Sequence, residues 1–237
     1  MQLQAAFAHA GGVTGMRKVW KTADRVRLNL PMYSLGEEIF SAVSHGVAAA
    51  FGAVMLILQL IFCEKTPVTV VSVSIFGGSM VLLYTVSTLY HALGINKAKQ
   101  VFRVLDHCTI FLLIAGTYTP ITLCCLKGIV GLALFGIVWG AAIVGVVLNA
   151  VSVERFKKVS MVCYIAMGWV VVFAMKTVLR EMSSVGLWFL LAGGIAYTSG
   201  AVLYGLGKKI PYMHSVWHLF VLAGSVLHSV TVFTVVI

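Results

Sequence analysis

Residues 129–150 read IVGLALFGIVWGAAIVGVVLNA, twenty-two positions without one charged side chain. At 1.5 Å per residue such a helix reaches about 33 Å, enough to cross about 30 Å of hydrocarbon. Apolar and polar residues do not alternate as in a barrel strand. Lipid satisfies no backbone amide, so the stretch reads as a membrane helix that makes its own hydrogen bonds. Working outward, six more runs of this kind lie at about 38–62, 68–91, 104–125, 160–180, 186–206 and 213–237. The connectors are too short for a second domain. The expected fold is all-α, an integral membrane bundle of seven transmembrane helices over 34–237, preceded by a basic segment at 1–33.

Composition agrees. Of 237 residues, 60% are hydrophobic and 10% charged, with mean hydropathy +1.02. A soluble domain carries about 25% charged residues, so a soluble globule, a disordered chain and a nucleic-acid-binding module are excluded. The net charge of +10 is a matter of placement. Arg17, Lys18, Lys21, Arg25, Arg27, Lys97, Lys99, Arg103, Arg155, Lys157, Lys158, Lys208 and Lys209 fall on one side of the seven runs. Lys65, Lys127 and Arg180 fall on the other, and Lys176 sits near the outer end of run five. By the positive-inside rule the N-terminus is cytoplasmic and Ile237 outside. The expectation is a multi-pass integral membrane protein whose partner is membrane lipid, with no nucleic acid needed to explain the charge.

The first run is too long, and too far from Met1, for a cleaved signal peptide. Before it, the basic residues interleave with Met16, Val19, Trp20, Val26 and Leu28. That pattern suits either an amphipathic helix on an anionic leaflet or a disordered basic lead-in, and Pro31 ends any helix there. Cys63, Cys108, Cys124, Cys125 and Cys163 show no CxxC spacing. They read as small packing residues, with one bridge among Cys63, Cys124 and Cys125 as the alternative.

Ionisable residues inside a span are costly and therefore informative. Odd runs travel outward and even runs inward, so Ser41, His45, Ser87, His91, Asp106, His107, His214 and His218 all fall in the cytoplasmic half. His228 lies about 21 Å further along its helix than His214 and stays apart, and His9 lies in the lead-in. His214 and His218 stand at i and i+4 on one face, as do Ser87 and His91. Three histidines from two helices with one open position suit a catalytic zinc site. Asp106 reads as the one acidic residue deep enough to hold or deprotonate an attacking water, and Ser87 as a hydrogen-bonding partner for that water or for a substrate oxygen. The alternatives at this point are interfacial histidines bonded to backbone, a helix-end His91 facing headgroups, and an Asp106 placed to suit its helix dipole.

The motifs Ser87-Thr-Leu-Tyr-His91, Leu105-Asp106-His107 running on to Pro120, His214-Ser-Val-Trp-His218, and Glu37-Glu38-Ile-Phe-Ser41-Ala-Val-Ser-His45-Gly46 resemble the bacterial hemolysin III family, which implies a bacterial inner membrane as the location. That family is grouped with the progestin and adipoQ receptors and, more distantly, the alkaline ceramidases. The resemblance covers about 34–237. It implies zinc held by His91, His214 and His218, a water-positioning Asp106, and Ser87 as the serine of an SxxxH motif. Ser41 departs from the Asn common at its position.

Three functions stand open on this reading. The first is a zinc-dependent lipid amidase or esterase acting from the inner leaflet. The second is a non-enzymatic membrane-homeostasis or lipid-state sensor with structural zinc. The third is a pore-forming, cytolytic protein, which the absence of midplane acids and of Pro-broken spans disfavours.

Overall fold

A computed structural model of the chain describes residues 22–126, 128–206 and 210–237. Met16, Arg17, Lys18, Val19, Trp20, Lys21, Lys127, Lys208, Lys209 and His9 lie outside the described residues. After a short helix at 22–27, α1 (Leu35–Phe62) starts at a capping box. The Ser34 hydroxyl accepts from the Glu37 amide, and the Glu37 carboxylate accepts from the Ser34 amide, which satisfies two otherwise orphaned donors. α2 (Pro67–Ala92) is capped by Thr66 with Pro67 in its first turn, and α3 (Lys97–Pro120) by Asn96. A π-helical turn, Ile121–Leu126, follows Pro120. Next come α4 (Gly128–Trp169), a 3₁₀ turn (Val170–Ala174), α5 (Met175–Glu181), α6 (Ser184–Leu206) and α7 (Met213–Val236).

Six helical segments are long and apolar enough to cross a bilayer, against seven runs read from the sequence. The difference lies in runs four and five, which form one helical segment of 54 residues, Gly128–Glu181. It folds back on itself. Ser152 has extended dihedrals (φ −167°, ψ 104°), and its hydroxyl caps the next turn by accepting from the Arg155 amide. Across this break Ser160 Oγ donates to Asn149 Oδ1 at 2.7 Å, and Asn149 Nδ2 donates to Tyr164 Oη at 3.2 Å. In a straight helix residues 149 and 164 would be about 22 Å apart. The arm before Ser152 runs antiparallel to α3, with Trp139 bonded to Thr119 and Asn149 to His107. The arm after it runs parallel to α3, with Tyr164 bonded to His107 and Tyr118 to Gly168. Run five was expected to begin at 160, yet helix resumes directly after Ser152, so the expected loop shrinks to one residue.

α1 turns a largely polar face inward and an apolar face outward. In α1 the buried residues are Glu38, Ser41, His45, Ala48, Gly52 and Gln59, one face at helical spacing, while Val43, Val47, Val54, Ile57 and Ile61 are exposed. This inverts the pattern of a helix in water and matches a lipid-facing surface. Small residues let helices approach closely. A Cβ on Gly145 would lie 2.3 Å from the Phe111 ring, and one on Gly77 would lie 2.6 Å from Leu56. Among the described residues no disulfide links the cysteines.

The polar residues singled out in the sequence collect at one end of the bundle, where α1, α3 and α7 begin and α2 and α6 finish. At the opposite end the Glu64 amide bonds to the Val236 carbonyl. Residues 28–33 lie across the polar end. Leu28 and Leu30 are buried against Tyr90, and Arg103 donates to the Asn29 carbonyl.

Candidate metal centre

Three imidazoles face one another. His91 comes from the last turn of α2, and His214 and His218 from the first two turns of α7. His214 Nε2 lies 3.3 Å from His91 Nε2 and 3.1 Å from His218 Nε2, and the ligating atoms of the trio all lie within 4.8 Å of one another. Four tetrahedral ligands at about 2.05 Å from a zinc ion would be about 3.3 Å apart. The donor set therefore fits a single metal ion held by these three nitrogens.

Each ring is held by its surroundings. His91 Nδ1 lies 2.8 Å from Glu38 Oε2, in the relation that commonly fixes the tautomer of a metal-binding histidine. Tyr33 stacks on His214 with ring centroids 4.7 Å apart. His45 stacks on His218 at 3.6 Å and meets Tyr84 edge-on. Burial raises the pKa of the Tyr33 hydroxyl well above its ordinary value, so it remains a neutral donor.

Among the described residues, several buried polar atoms beside the trio make no hydrogen bond within the protein: both ring nitrogens of His45, Ser87 Oγ, Tyr90 Oη, and Nδ1 of His214 and of His218. Buried groups of this kind are costly to leave unpaired, which marks this as a place where a bound group or water completes the set. Ser41 Oγ bonds to Ser215 Oγ at 3.0 Å across α1 and α7.

Asp106 is buried near the trio and stands outside the ligand set. Its carboxylate lies 3.8 Å from His107 Nδ1, which also faces the Arg103 carbonyl at 2.9 Å. Asp106 and His45 together line one end of a narrow apolar cavity of about 120 Å³. The cavity follows α3 from Asp106 to Ile121, about 22 Å along the axis, and reaches His228 deeper in the bundle. His228 donates to or accepts nothing from the trio; its Nε2 faces the Leu190 carbonyl at 3.1 Å. A polar cleft of about 510 Å³ reaches the trio at His214 and is lined besides by Tyr33, Arg103, Glu154, Lys157 and Tyr204.

One expectation needs correction. Asp106 is not the only acidic side chain buried at this end, because Glu38 is 6% exposed and contacts His91 directly. It lies in the first turn of α1, where an acidic residue also suits the helix dipole. The stripe Glu38, Ser41, His45, Ala48, Gly52 was the signal that could have found it.

Residues 33–229 match the family described as haemolysin-III related. The chain belongs to the haemolysin III family. It is 44% identical over 193 residues to Hemolysin-3 of Bacillus cereus, covering 81% of this chain and 88% of that protein. It is 41% identical over 196 residues to the Hemolysin-3 homolog of Bacillus subtilis (strain 168), covering 82% and 92%. A more distant relative is the human monocyte to macrophage differentiation factor, 28% identical over 160 residues, covering 65% and 66%. The haemolysin III match spans every residue of the histidine trio, together with Glu38, Ser87 and Asp106.

Proposed function

We propose that this haemolysin III protein is a zinc-dependent hydrolase of a lipid amide or ester, acting at the cytoplasmic leaflet of a bacterial inner membrane. In this reading residues 34–237 cross the membrane seven times, the two arms around Ser152 counting as two crossings. The basic segment 1–33 and the N-terminus are cytoplasmic and Ile237 is outside. Membrane lipid is the partner and no nucleic acid is involved.

The observation that carries the reading is that two spaces of opposite character adjoin the trio: His214 lines the polar cleft, and His45, stacked on His218, lines the narrow apolar cavity. An amphiphile with one chain in the cavity and its head in the cleft presents its carbonyl at the histidines. His91, His214 and His218 would hold the ion. Zinc in that place supplies Lewis acidity for the carbonyl and lowers the pKa of a water. Asp106, at the end of the cavity nearest the trio, takes the proton of the attacking water on its carboxylate and returns it to the leaving amine or alkoxide as the C–N or C–O bond breaks. Ser87 Oγ, buried without a partner, donates to the carbonyl oxygen. The apolar walls hold the chain, and the Tyr33 ring over His214 screens the site from bulk water.

The test is fatty acid release by the purified, metal-loaded protein from a panel of ceramides, N-acyl lipids and phospholipids. Asp106→Asn should lower the rate roughly 10²–10⁴-fold and leave bound metal in place. No product from any lipid, together with an unchanged cellular phenotype in Asp106→Ala, would sink the hydrolase reading. One observation favours a second reading, a lipid-state sensor with structural zinc. The trio and its contacts Glu38 and Lys99 join α1, α2, α3 and α7 at one point, so a metal there would also pin the bundle. Product detection separates the two.

A further inference from the structure

Glu38 is a buried carboxylate that the proposed chemistry does not use, and side chains from three other segments converge on it. Its Oε2 lies 2.8 Å from His91 Nδ1. Its Oε1 takes Arg25 Nη2 at 2.9 Å, from the short helix at 22–27, and Lys99 Nζ at 3.0 Å, from the first turn of α3. The two oxygens thus divide their work, one facing two cations and the other facing the imidazole. Lys99 is itself 1% exposed and also donates to the carbonyls of Tyr90, His91 and Leu93 at the end of α2. The same ion pair therefore grips His91 twice, through its ring by way of Glu38 and through its main chain by way of Lys99.

From this geometry we infer that Glu38 is the positioning residue of the metal centre, the carboxylate that fixes the tautomer and ring angle of His91 so that Nε2 faces His214 and His218. The inference rests on the metal reading above. With Nδ1–H donated to Glu38, the lone pair of Nε2 is left on the side of the other two histidines. A carboxylate in this place also raises the basicity of the ligating nitrogen. Arg25 and Lys99 offset the cost of burying the charge, since a buried carboxylate left unpaired would be strongly destabilising. In its two partner rings, His214 and His218, Nδ1 has no hydrogen-bond partner among the described residues. The rings of His214 and His218 are held by stacking, whereas His91 is the ligand whose Nδ1 meets a carboxylate, and Glu38 supplies it.

The test is a zinc titration of the purified full chain against a competing chelator. Loss of an outer partner of this kind usually costs 10–100-fold in metal affinity, and Glu38→Gln is expected to fall in that range. If Glu38 acts through His91, Glu38→Gln placed in a His91→Ala background should cause little further loss, whereas a general structural role would give additive losses. Glu38→Asp keeps a negative charge near Arg25 and Lys99 but draws the carboxylate back from Nδ1 by one methylene, so its zinc affinity decides the matter if the Gln variant fails to fold. Wild-type affinity in either folded variant overturns the assignment, as does an undiminished loss in the His91→Ala background. His218→Ala is the control. If it binds zinc as the wild type does, the metal reading has failed; if it loses zinc while Glu38→Gln does not, the role of Glu38 alone has failed.

Discussion

α7 carries buried histidines in its first turns and again past its middle, and they differ in what surrounds them. At the start, His214 and His218 turn Nε2 toward His91, with a carboxylate behind His91 and several buried atoms left without partners. Ten residues beyond His218, about 15 Å along the helix, His228 faces a single backbone carbonyl and fills the space over Gly193, where a Cβ would lie 2.2 Å from its ring. Burial alone does not make a histidine a ligand. Convergence of lone pairs from different helices does, and only the start of α7 has it.

The sharpest way to break this comparison is to remove one histidine from each place. His218→Ala should abolish specific zinc binding and with it the zinc-dependent rise in unfolding temperature. For a wild type at 100 times its dissociation constant that rise corresponds to about 2.7 kcal/mol. His228→Ala should destabilise the protein with or without zinc, through the lost carbonyl contact and a residual cavity, and leave zinc affinity unchanged. A thermal unfolding series with and without zinc checks both, and a loss of zinc affinity in His228→Ala would erase the distinction between the two places.

Next in size is packing around His228. Gly193→Val would force its side chain into the His228 ring, and overpacking of this kind typically costs about 1–3 kcal/mol. Calorimetry should register a lower unfolding temperature with an unaltered zinc increment; an unaltered unfolding temperature would mean that the ring moves aside freely. The smallest effect is expected at Ser41. Ser41→Ala removes the hydroxyl pair with Ser215, which joins α1 to α7 beside the trio. A lost neutral hydrogen bond costs about 0.5–1.5 kcal/mol, and if Ser41→Asn restores the wild-type unfolding temperature, the departure from the Asn common at this position is a local exchange of partners.

The contrast also explains what could be read from the sequence. His214 and His218 are legible because both ligands lie one turn apart on one helix, so spacing alone puts them on one face. His91 joins them only because α2 ends where α7 begins, which the alternation of spans supplies. Glu38 was not legible as a partner of His91 because the contact links residues 53 apart, and no local period reports it. The hairpin at Ser152 was hidden for a different reason. The charges Glu154, Arg155, Lys157 and Lys158 suggested a loop, yet they occupy the first turns of the returning arm, where Glu154 pairs with Arg103 of α3 and with Lys157. Charged residues at the end of a membrane helix need not interrupt it. The apolar cavity beside Asp106 likewise depends on how the arm after Ser152, α6 and α7 pack against α3, which hydropathy cannot express.

The central claim is that the histidine trio holds one metal ion, and elemental analysis tests it most directly. Protein purified from zinc-supplied cells should carry about one zinc per chain, the number one trio can bind, and the His214→Ala/His218→Ala double variant purified in parallel should carry none. Equal metal content in the two proteins, or no metal in a folded wild type that also fails to bind added zinc, would contradict the account.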